Sequence, residues 1–233
     1  KVLNQFTSDD MDMPLISMKK PSKAYNVRLI CTGTALQATQ AQDSARLQGY
    51  ELEVSPKSIT IQSLTPTGLF YGLLTLAQLE KGRQIPCVKV KDTPRFPYRG
   101  LMIDCSRHFW TKKFIMKQLD AMAYFKLNRF HWHLTDGGGW RMEVKQYPRL
   151  TNETAYRTQS DWVKWWMEKD RKYCPVGTPG AYGGYYTQQD IKDIVRYAAA
   201  RHITVIPEIE MPGHSDEVVY AYPELSCTGK PYT

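Results

Sequence analysis

Side chains able to move protons or grip oxygen atoms gather at three places between residues 95 and 233, each at or just beyond a short apolar run. The first group is Asp104, Ser106, Arg107 and His108, the second His131, His133 and Asp136, and the third Glu208, Glu210 and His214. Carboxylates and imidazoles carry acid–base work near neutral pH, and a guanidinium fork suits two adjacent oxygens. Three strand ends delivering such groups to one face point to a shared site. His131 and His133 stand two apart on an extended run and so project the same way. That is the H-x-H spacing of metal pairs in barrel hydrolases. The reading preferred here has one histidine hydrogen-bonded in a packed interior and the other orienting a neighbour, because no other carboxylate–histidine spacing completes an open metal site. His214 follows Pro212 and Gly213 in a turn, four residues after Glu210, where structural and functional roles weigh evenly. Asp104 reads first as a helix cap or an arginine partner.

The elements that must carry these groups alternate strand and helix. Gly100 to Asp104 is short and apolar, as a fully buried parallel strand would be. Thr111 can cap a helix running to about Phe125, with Ile115, Leu119 and Met122 on one face. Asn128 to Leu134 reads as a second strand. Thr187-Gln-Gln-Asp190 opens a further helix in the manner of a capping box, and Ile191, Ile194, Val195 and Ala198 share its stripe. Ile203 to Ile206 is a third strand, closed by Pro207. This order predicts βαβ units and a parallel sheet. Between the second strand and the later helix, Trp140 to Tyr186 is rich in aromatic residues, Gly and Pro, and is expected to be an ordered loop near the site. Trp132 alternates with the histidines and faces the core. Trp110, Trp140, Trp162, Trp165 and Trp166 are candidate stacking walls for a sugar, although core packing is the commoner fate of any one of them.

Residues 1 to about 94 contain none of the six Trp and none of the five His, and read as a separate α+β part. Tyr25 to Cys31, Tyr50 to Val54 and Ser58 to Leu64 are strand-like, and Thr67 precedes a helix over Gly68 to Lys81. Pro86, Pro94 and Pro97 then punctuate a connector, and the boundary falls near residue 94.

The chain has 233 residues, 42% apolar and 23% charged, within the globular range. The longest apolar stretch falls short of the roughly 20 residues of a membrane span. No signal peptide is visible, and an opening Lys1 rather than Met gives the expectation of a trimmed N-terminus. A net charge of +8 raises the question of an anionic polymer partner. The basic residues are scattered, however, and the densest cluster (Lys164, Lys169, Arg171, Lys172) is interleaved with Glu168 and Asp170, so a solvated surface and no nucleic-acid partner are expected. Five cysteines without a C-x-x-C pair argue against a zinc knuckle, and an odd count leaves at least one outside intramolecular pairing.

Three motifs carry a resemblance. Tyr98-Arg-Gly-Leu-Met-Ile-Asp-Cys-Ser-Arg-His-Phe109, Lys126-Leu-Asn-Arg-Phe-His-Trp-His-Leu-Thr-Asp136 and Pro207-Glu-Ile-Glu-Met-Pro-Gly-His214 resemble the β-N-acetylhexosaminidases of glycoside hydrolase family 20, with Tyr147 to Leu150 and Tyr185 to Gln188 in support. The likeness covers residues 95 to 233, and the first part resembles the small domain that precedes the barrel. It implies an α/β fold, the first strands of a (β/α)₈ TIM barrel, incomplete over these residues and preceded by a small α+β domain. It also implies exo-acting, retaining release of terminal N-acetyl-β-hexosamine, in which the substrate's own acetamido oxygen attacks the anomeric carbon. A tethered nucleophile is worth an effective molarity of ~10⁵–10⁸ M. By position, Arg107 would fix hydroxyls of the terminal sugar, Asp136 and His214 would support the general acid, and His133 and Glu210 would stand behind them. Glu210 falls where the family often has Asp, and Gly137 replaces a second acid.

The family's adjacent Asp-Glu pair, which orients the acetamide and donates the proton, is expected beyond Thr233. Asp216-Glu217 follows the histidine turn too closely to be that pair. Three strands, in a segment well short of the roughly 250 residues of a (β/α)₈ barrel, give the expectation that other polypeptide completes it and that this chain alone is inactive. The partners implied are N-acetylhexosamine-terminated glycans and the remaining barrel polypeptide. No cofactor or metal is implied, and the family's members point to an exported (periplasmic, extracellular or lysosomal) protein. Two alternatives stand beside this reading: a metal-dependent barrel hydrolase using His131 and His133, and a non-catalytic carbohydrate-binding fragment.

Overall fold

A computed structural model describes residues 26–82, 84–168 and 172–230. Tyr25, at the head of the first expected strand, and Lys169 to Arg171 of the charged cluster lie outside them. The chain divides into two compact units. One is built on the residues up to Arg99 with Asp120–Asn128 and Ala199–Thr204, the other on Gly100–Leu119, Arg129–Ala198 and the residues from Val205 onward.

The first unit is α+β. Its elements are β1 (Asn26–Cys31), α1 (Ala35–Gln40), β2 (Tyr50–Val54), β3 (Ser58–Ser63), α2 (Pro66–Leu79) and β4 (Val88–Asp92). The sheet order is β1-β3-β2-β4, with β1 parallel to β3 and the other pairs antiparallel. Alternation buries Tyr50, Leu52 and Val54 of β2 with Ile59 and Ile61 of β3, and α2 contributes Phe70, Tyr71 and Leu74 to the same core. The helix starts two residues earlier than expected. Thr65, not Thr67, is its cap, its Oγ1 accepting from the Gly68 N–H at 3.2 Å. Pro66 then occupies the first helical position, where a missing N–H costs nothing. Strand β4 was expected to be connector. It is an edge strand whose lysines pair across to β2, Lys89 with Glu53 and Lys91 with Glu51, each at 2.9 Å.

The second unit is α/β. It holds β5 (Gly100–Asp104), α3 (Lys112–Tyr124), which runs on into the first unit, β6 (Arg129–His133), α4 (Arg149–Thr154), β7 (Tyr156–Arg157), α5 (Trp162–Met167), β8 (Tyr173–Cys174), β9 (Tyr182–Gly183), α6 (Gln188–Ala199), β10 (Thr204–Glu208) and α7 (Asp216–Ala221). The main sheet runs β10-β6-β5, and β5 lies parallel to β6 with Asp104 opposite His133. Thr111 Oγ1 accepts from the Phe114 N–H at 3.3 Å, and Ile115, Leu119 and Met122 of α3 are buried. At the start of α6, Thr187 and Asp190 each accept from the other's backbone N–H at 3.1 Å. Lys112 then ties α3 to α6 through Asp190 (3.0 Å) and Asp193 (2.7 Å).

Several local expectations are corrected. Strand β5 is not fully buried: Met102 is half-exposed, because β5 is an edge of the sheet among the described residues. Ile194 and Ala198 form the buried stripe of α6, whereas Val195 lies off it and exposed. Pro207 sits inside β10 rather than closing it, which an edge strand tolerates because no ladder donor is needed there. The segment from Trp140 to Tyr186 is not loop throughout. It contains α4, α5 and a small sheet in the order β8-β7-β9. Two of its residues, Trp140 and Leu150, pack with Val218 and Ala221 of α7.

Candidate active site

The register of β5 and β6, and the turn after β10, bring the three charged groups to one carboxylate. Asp136 lies just past β6, its side chain 5% exposed, and its Oδ2 stands 2.6 Å from Arg107 Nη2 and 2.9 Å from His214 Nδ1. His133 Nε2 is 3.6 Å from the same oxygen. Arg107 gives its other nitrogen, Nη1, to Asp104 Oδ2 at 2.7 Å. Asp104 Oδ1 accepts from the backbone N–H groups of Ser106 and Arg107 at 2.9 and 3.0 Å. Burial works to raise the Asp104 pKa, but the hydrogen bonds and charge of Arg107 outweigh it and hold the carboxyl below its ordinary value. The arginine is thus clamped flat between two carboxylates while its side chain stays 31% exposed. His214 has a left-handed backbone (φ 53°) and a side chain 64% exposed, so its ring is fixed at Nδ1 and open to a ligand elsewhere.

Glu210 and the two β6 histidines stand around this centre in different ways. The backbone N–H of Glu210 donates to Thr135 Oγ1 at 2.8 Å. The Glu210 carboxylate lies within 4.8 Å of the ligating atoms of Asp136 and His214, and likewise of His133 and Glu208. His131 instead pairs with Glu208 at 2.5 Å. Among the described residues, no group of metal-ligating side chains contains both His131 and His133. The H-x-H spacing therefore serves two separate carboxylate partnerships, with His133 directed to Asp104 and Asp136.

Two buried arginines that sequence reasoning passed over hold the surrounding loops. Arg141 is fully buried and donates to the carbonyls of Cys105, Ser106, Gly138, Ala155 and Gly184. Burial, then the nearby Arg157 charge, lowers its pKa to about 10, so it remains a cation at neutral pH. Arg157 donates to the carbonyls of Arg107 (2.9 Å) and Gly138 (3.1 Å) and lies under the rings of Trp162 and Tyr182. Ser106 Oγ donates to the Asp136 carbonyl at 2.9 Å, joining the loop after β5 to the loop after β6. Gly138 permits that closeness, since a Cβ there would stand 2.8 Å from the Ser106 carbonyl oxygen and 3.0 Å from Arg107 Cα.

Of the candidate stacking walls, Trp140 and Trp165 are core, and Trp110 stacks on Phe114 at 4.0 Å. Trp132 is fully buried, as its place between the histidines implied. Trp162 comes to the site, its ring centroid 5.8 Å from Arg107 Cζ. Asp216 and Glu217 sit at the start of α7. The Glu217 side chain is fully buried, with neither oxygen hydrogen-bonded, and so cannot reach a substrate. Burial first, reinforced by the nearby Asp136 and Asp216 charges, pushes its pKa up to about 8. Nothing in the sequence pattern signals that burial.

Comparison with known proteins assigns this geometry to a family. Residues 96–233 match the model of glycosyl hydrolase family 20, catalytic domain, and residues 8–93 that of glycosyl hydrolase family 20, domain 2. The chain belongs to glycosyl hydrolase family 20. It is 44% identical over 191 residues to a β-hexosaminidase of Porphyromonas gingivalis, covering 77% of this chain and 22% of that protein. It is 35% identical over 211 residues to N,N'-diacetylchitobiase of Vibrio harveyi, covering 84% and 23%. Among solved structures, the family 20 β-N-acetylhexosaminidase of Streptomyces coelicolor A3(2) matches with a TM-score of 0.69 and 32% identity, covering 88% of this chain and 38% of that one. The family 20 exo-β-N-acetylglucosaminidase of Vibrio harveyi in complex with N-acetylglucosamine gives 0.68 and 31%, covering 88% and 36%. The chain thus spans well under half the length of these relatives. Its fold is that of the family: domain 2 followed by the start of the TIM-barrel catalytic domain.

Proposed function

We propose that residues 95–233 are the N-terminal part of the catalytic barrel of an exo-acting β-N-acetylhexosaminidase, preceded by a small α+β domain over residues 1–94. The observation that carries this reading is the single carboxylate oxygen of Asp136 held by both Arg107 and His214. Arg107, clamped between Asp104 and Asp136, offers a planar fork to hydroxyls of a terminal N-acetylglucosamine or N-acetylgalactosamine. Asp136 and His214 hold and orient the general acid, and His133 and Glu210 support them from behind. That acid, with the carboxylate that positions the acetamide, belongs to polypeptide outside these residues, which also supplies the remaining strands. The reaction is substrate-assisted hydrolysis with retention, and the substrates are glycans ending in N-acetylhexosamine. An exported protein fits such substrates.

The polypeptide at its natural length is expected to release 4-nitrophenol from 4-nitrophenyl N-acetyl-β-glucosaminide, and residues 1–233 alone are not. Turnover by the 1–233 chain would place the acid within it and reject this assignment. Failure of the natural-length polypeptide to hydrolyse either the gluco or the galacto substrate would reject the hydrolase reading altogether.

A further inference from the structure

The first unit carries a cleft of its own, at one end of its four-stranded sheet. Gln62 of β3, Glu51 of β2 and Lys91 of β4 line it and stand opposite one another in the strand register. They alternate with the buried Tyr50, Leu52 and Ile61, so these three polar side chains point away from the core. Arg46, in the single 3₁₀ turn Arg46–Gln48, lines the cleft as well, with Thr32 and Thr93 just past the ends of β1 and β4. Gly49 lets these parts draw together, since a Cβ there would stand 2.7 Å from Thr93 Oγ1 and 3.3 Å from the Arg46 carbonyl oxygen. The volume is about 290 Å³. That is the small end of the range for ligand pockets, room for one sugar ring rather than a chain of them.

Charge and donor chemistry say what such a cleft would take. Lys91 Nζ lies 2.9 Å from Glu51 Oε1, so those two charges offset each other. No carboxylate among the described residues pairs with Arg46, which leaves the cleft one net positive charge. We propose that it binds one anionic monosaccharide unit, with the sulfate or carboxylate group at Arg46 and the hydroxyls at Glu51 and Gln62. A guanidinium fork suits an oxyanion through two parallel N–H donors. A carboxylate accepts from neighbouring hydroxyls, and a side-chain amide both donates and accepts. An apolar ligand would strip water from these groups and return no hydrogen bond. A nucleotide finds no ring here on which to stack its base. Tyr50, the aromatic residue at the cleft, is 4% exposed, its hydroxyl held by Thr75 at 2.5 Å and Asp92 at 3.0 Å. This binding needs no turnover, so it stands independently of the hydrolase reading.

Isothermal titration calorimetry on the polypeptide at its natural length tests this, with N-acetylglucosamine 6-sulfate, glucuronic acid and inorganic sulfate as probes. At least one of the two sugar acids is expected to bind at millimolar concentration. Arg46→Ala should weaken that binding about ten-fold, the scale of one lost hydrogen bond to a charged group. Gln62→Trp, which fills the cleft from its floor, should abolish it. Both residues are exposed, so both variants should keep the parent's thermal midpoint. Binding of the 6-sulfate alone identifies a sulfated sugar, and binding of glucuronic acid alone a uronic acid. No binding of either sugar up to about 20 mM, or equal binding by the parent and both variants, overturns the site. Inorganic sulfate binding as tightly as the sugar acids, and lost in Arg46→Ala, would leave an anion site and overturn the saccharide assignment.

Discussion

The Asp136 carboxylate meets the arginine and the histidine through one oxygen, so an Asn with its carbonyl placed there keeps the acceptor but loses the negative charge that pairs with the guanidinium. Asp136→Asn in the natural-length polypeptide is expected to lower kcat/KM about 10²-fold or more, the usual scale for one lost charge-stabilising contact. Steady-state kinetics on a chromogenic N-acetylglucosaminide check it. Glu217 gives a prediction with a pH sign. Its folded pKa is raised to about 8 from an ordinary 4.5, so the folded chain holds a proton that the unfolded chain has already released. The stability linked to that proton is fully present below the unfolded value and is lost as pH rises through the folded one. Glu217→Gln, which stays neutral, is expected to remove this decline. Its thermal midpoint should exceed the parent's near pH 9 and lie close to it near pH 5, the gap corresponding to a few kcal/mol. A Gln variant that destabilises as steeply as the parent on the alkaline side would contradict this account of Glu217.

At the scale of elements, the site depends on how closely the loop after β5 approaches the loop after β6. Gly138 faces backbone atoms, which cannot swing aside, so Gly138→Ala should push the Ser106–Arg107 backbone away and move the guanidinium off Asp136. We expect a cost of about 1–3 kcal/mol from overpacking and a KM raised at least several-fold. Gly137→Ala, whose new Cβ meets only side-chain atoms at 3.3 Å or beyond, should cost less in thermal stability. Thermal denaturation and KM for the pair of variants provide the comparison. The same scale shows what sequence pattern conveys. Strands β2, β3, β5 and β6 and the caps at Thr111 and Thr187 were legible, because alternation and capping are local properties. Strand β4 was missed: its Val-Lys-Val-Lys alternation is enclosed by Pro86 and Pro94, and only pairing with Glu51 and Glu53 makes it a strand. The aromatic segment after β6 was read as loop because its strands are two residues long and exist only by pairing with one another.

For the whole molecule, the main sheet of the second unit has β5 and β10 as its two edges among the described residues. Apolar side chains are exposed on or just beyond them, Met102 at 52% and Met211 at 60%. Open edges with apolar flanks promote association between chains. Sedimentation of purified 1–233 is therefore expected to show species larger than the 26.9 kDa monomer, increasing with concentration. A monodisperse monomer at high concentration would mean that these edges are protected within the chain itself.

The sequence by itself determined the family and the order of β5, α3, β6, α6 and β10, and it singled out Arg107, Asp136 and His214 as candidates, because motif spacing and hydrophobic period are written along the chain. Only the tertiary structure decided which charges meet. His131 going to Glu208 while His133 turns to Asp104 and Asp136, Arg141 buried among five carbonyls, and Glu217 sealed without a hydrogen-bond partner all follow from strand register and from contacts between distant loops. Electrostatic pairing and desolvation depend on distance and burial in three dimensions, and neither quantity has a local signature in the order of residues.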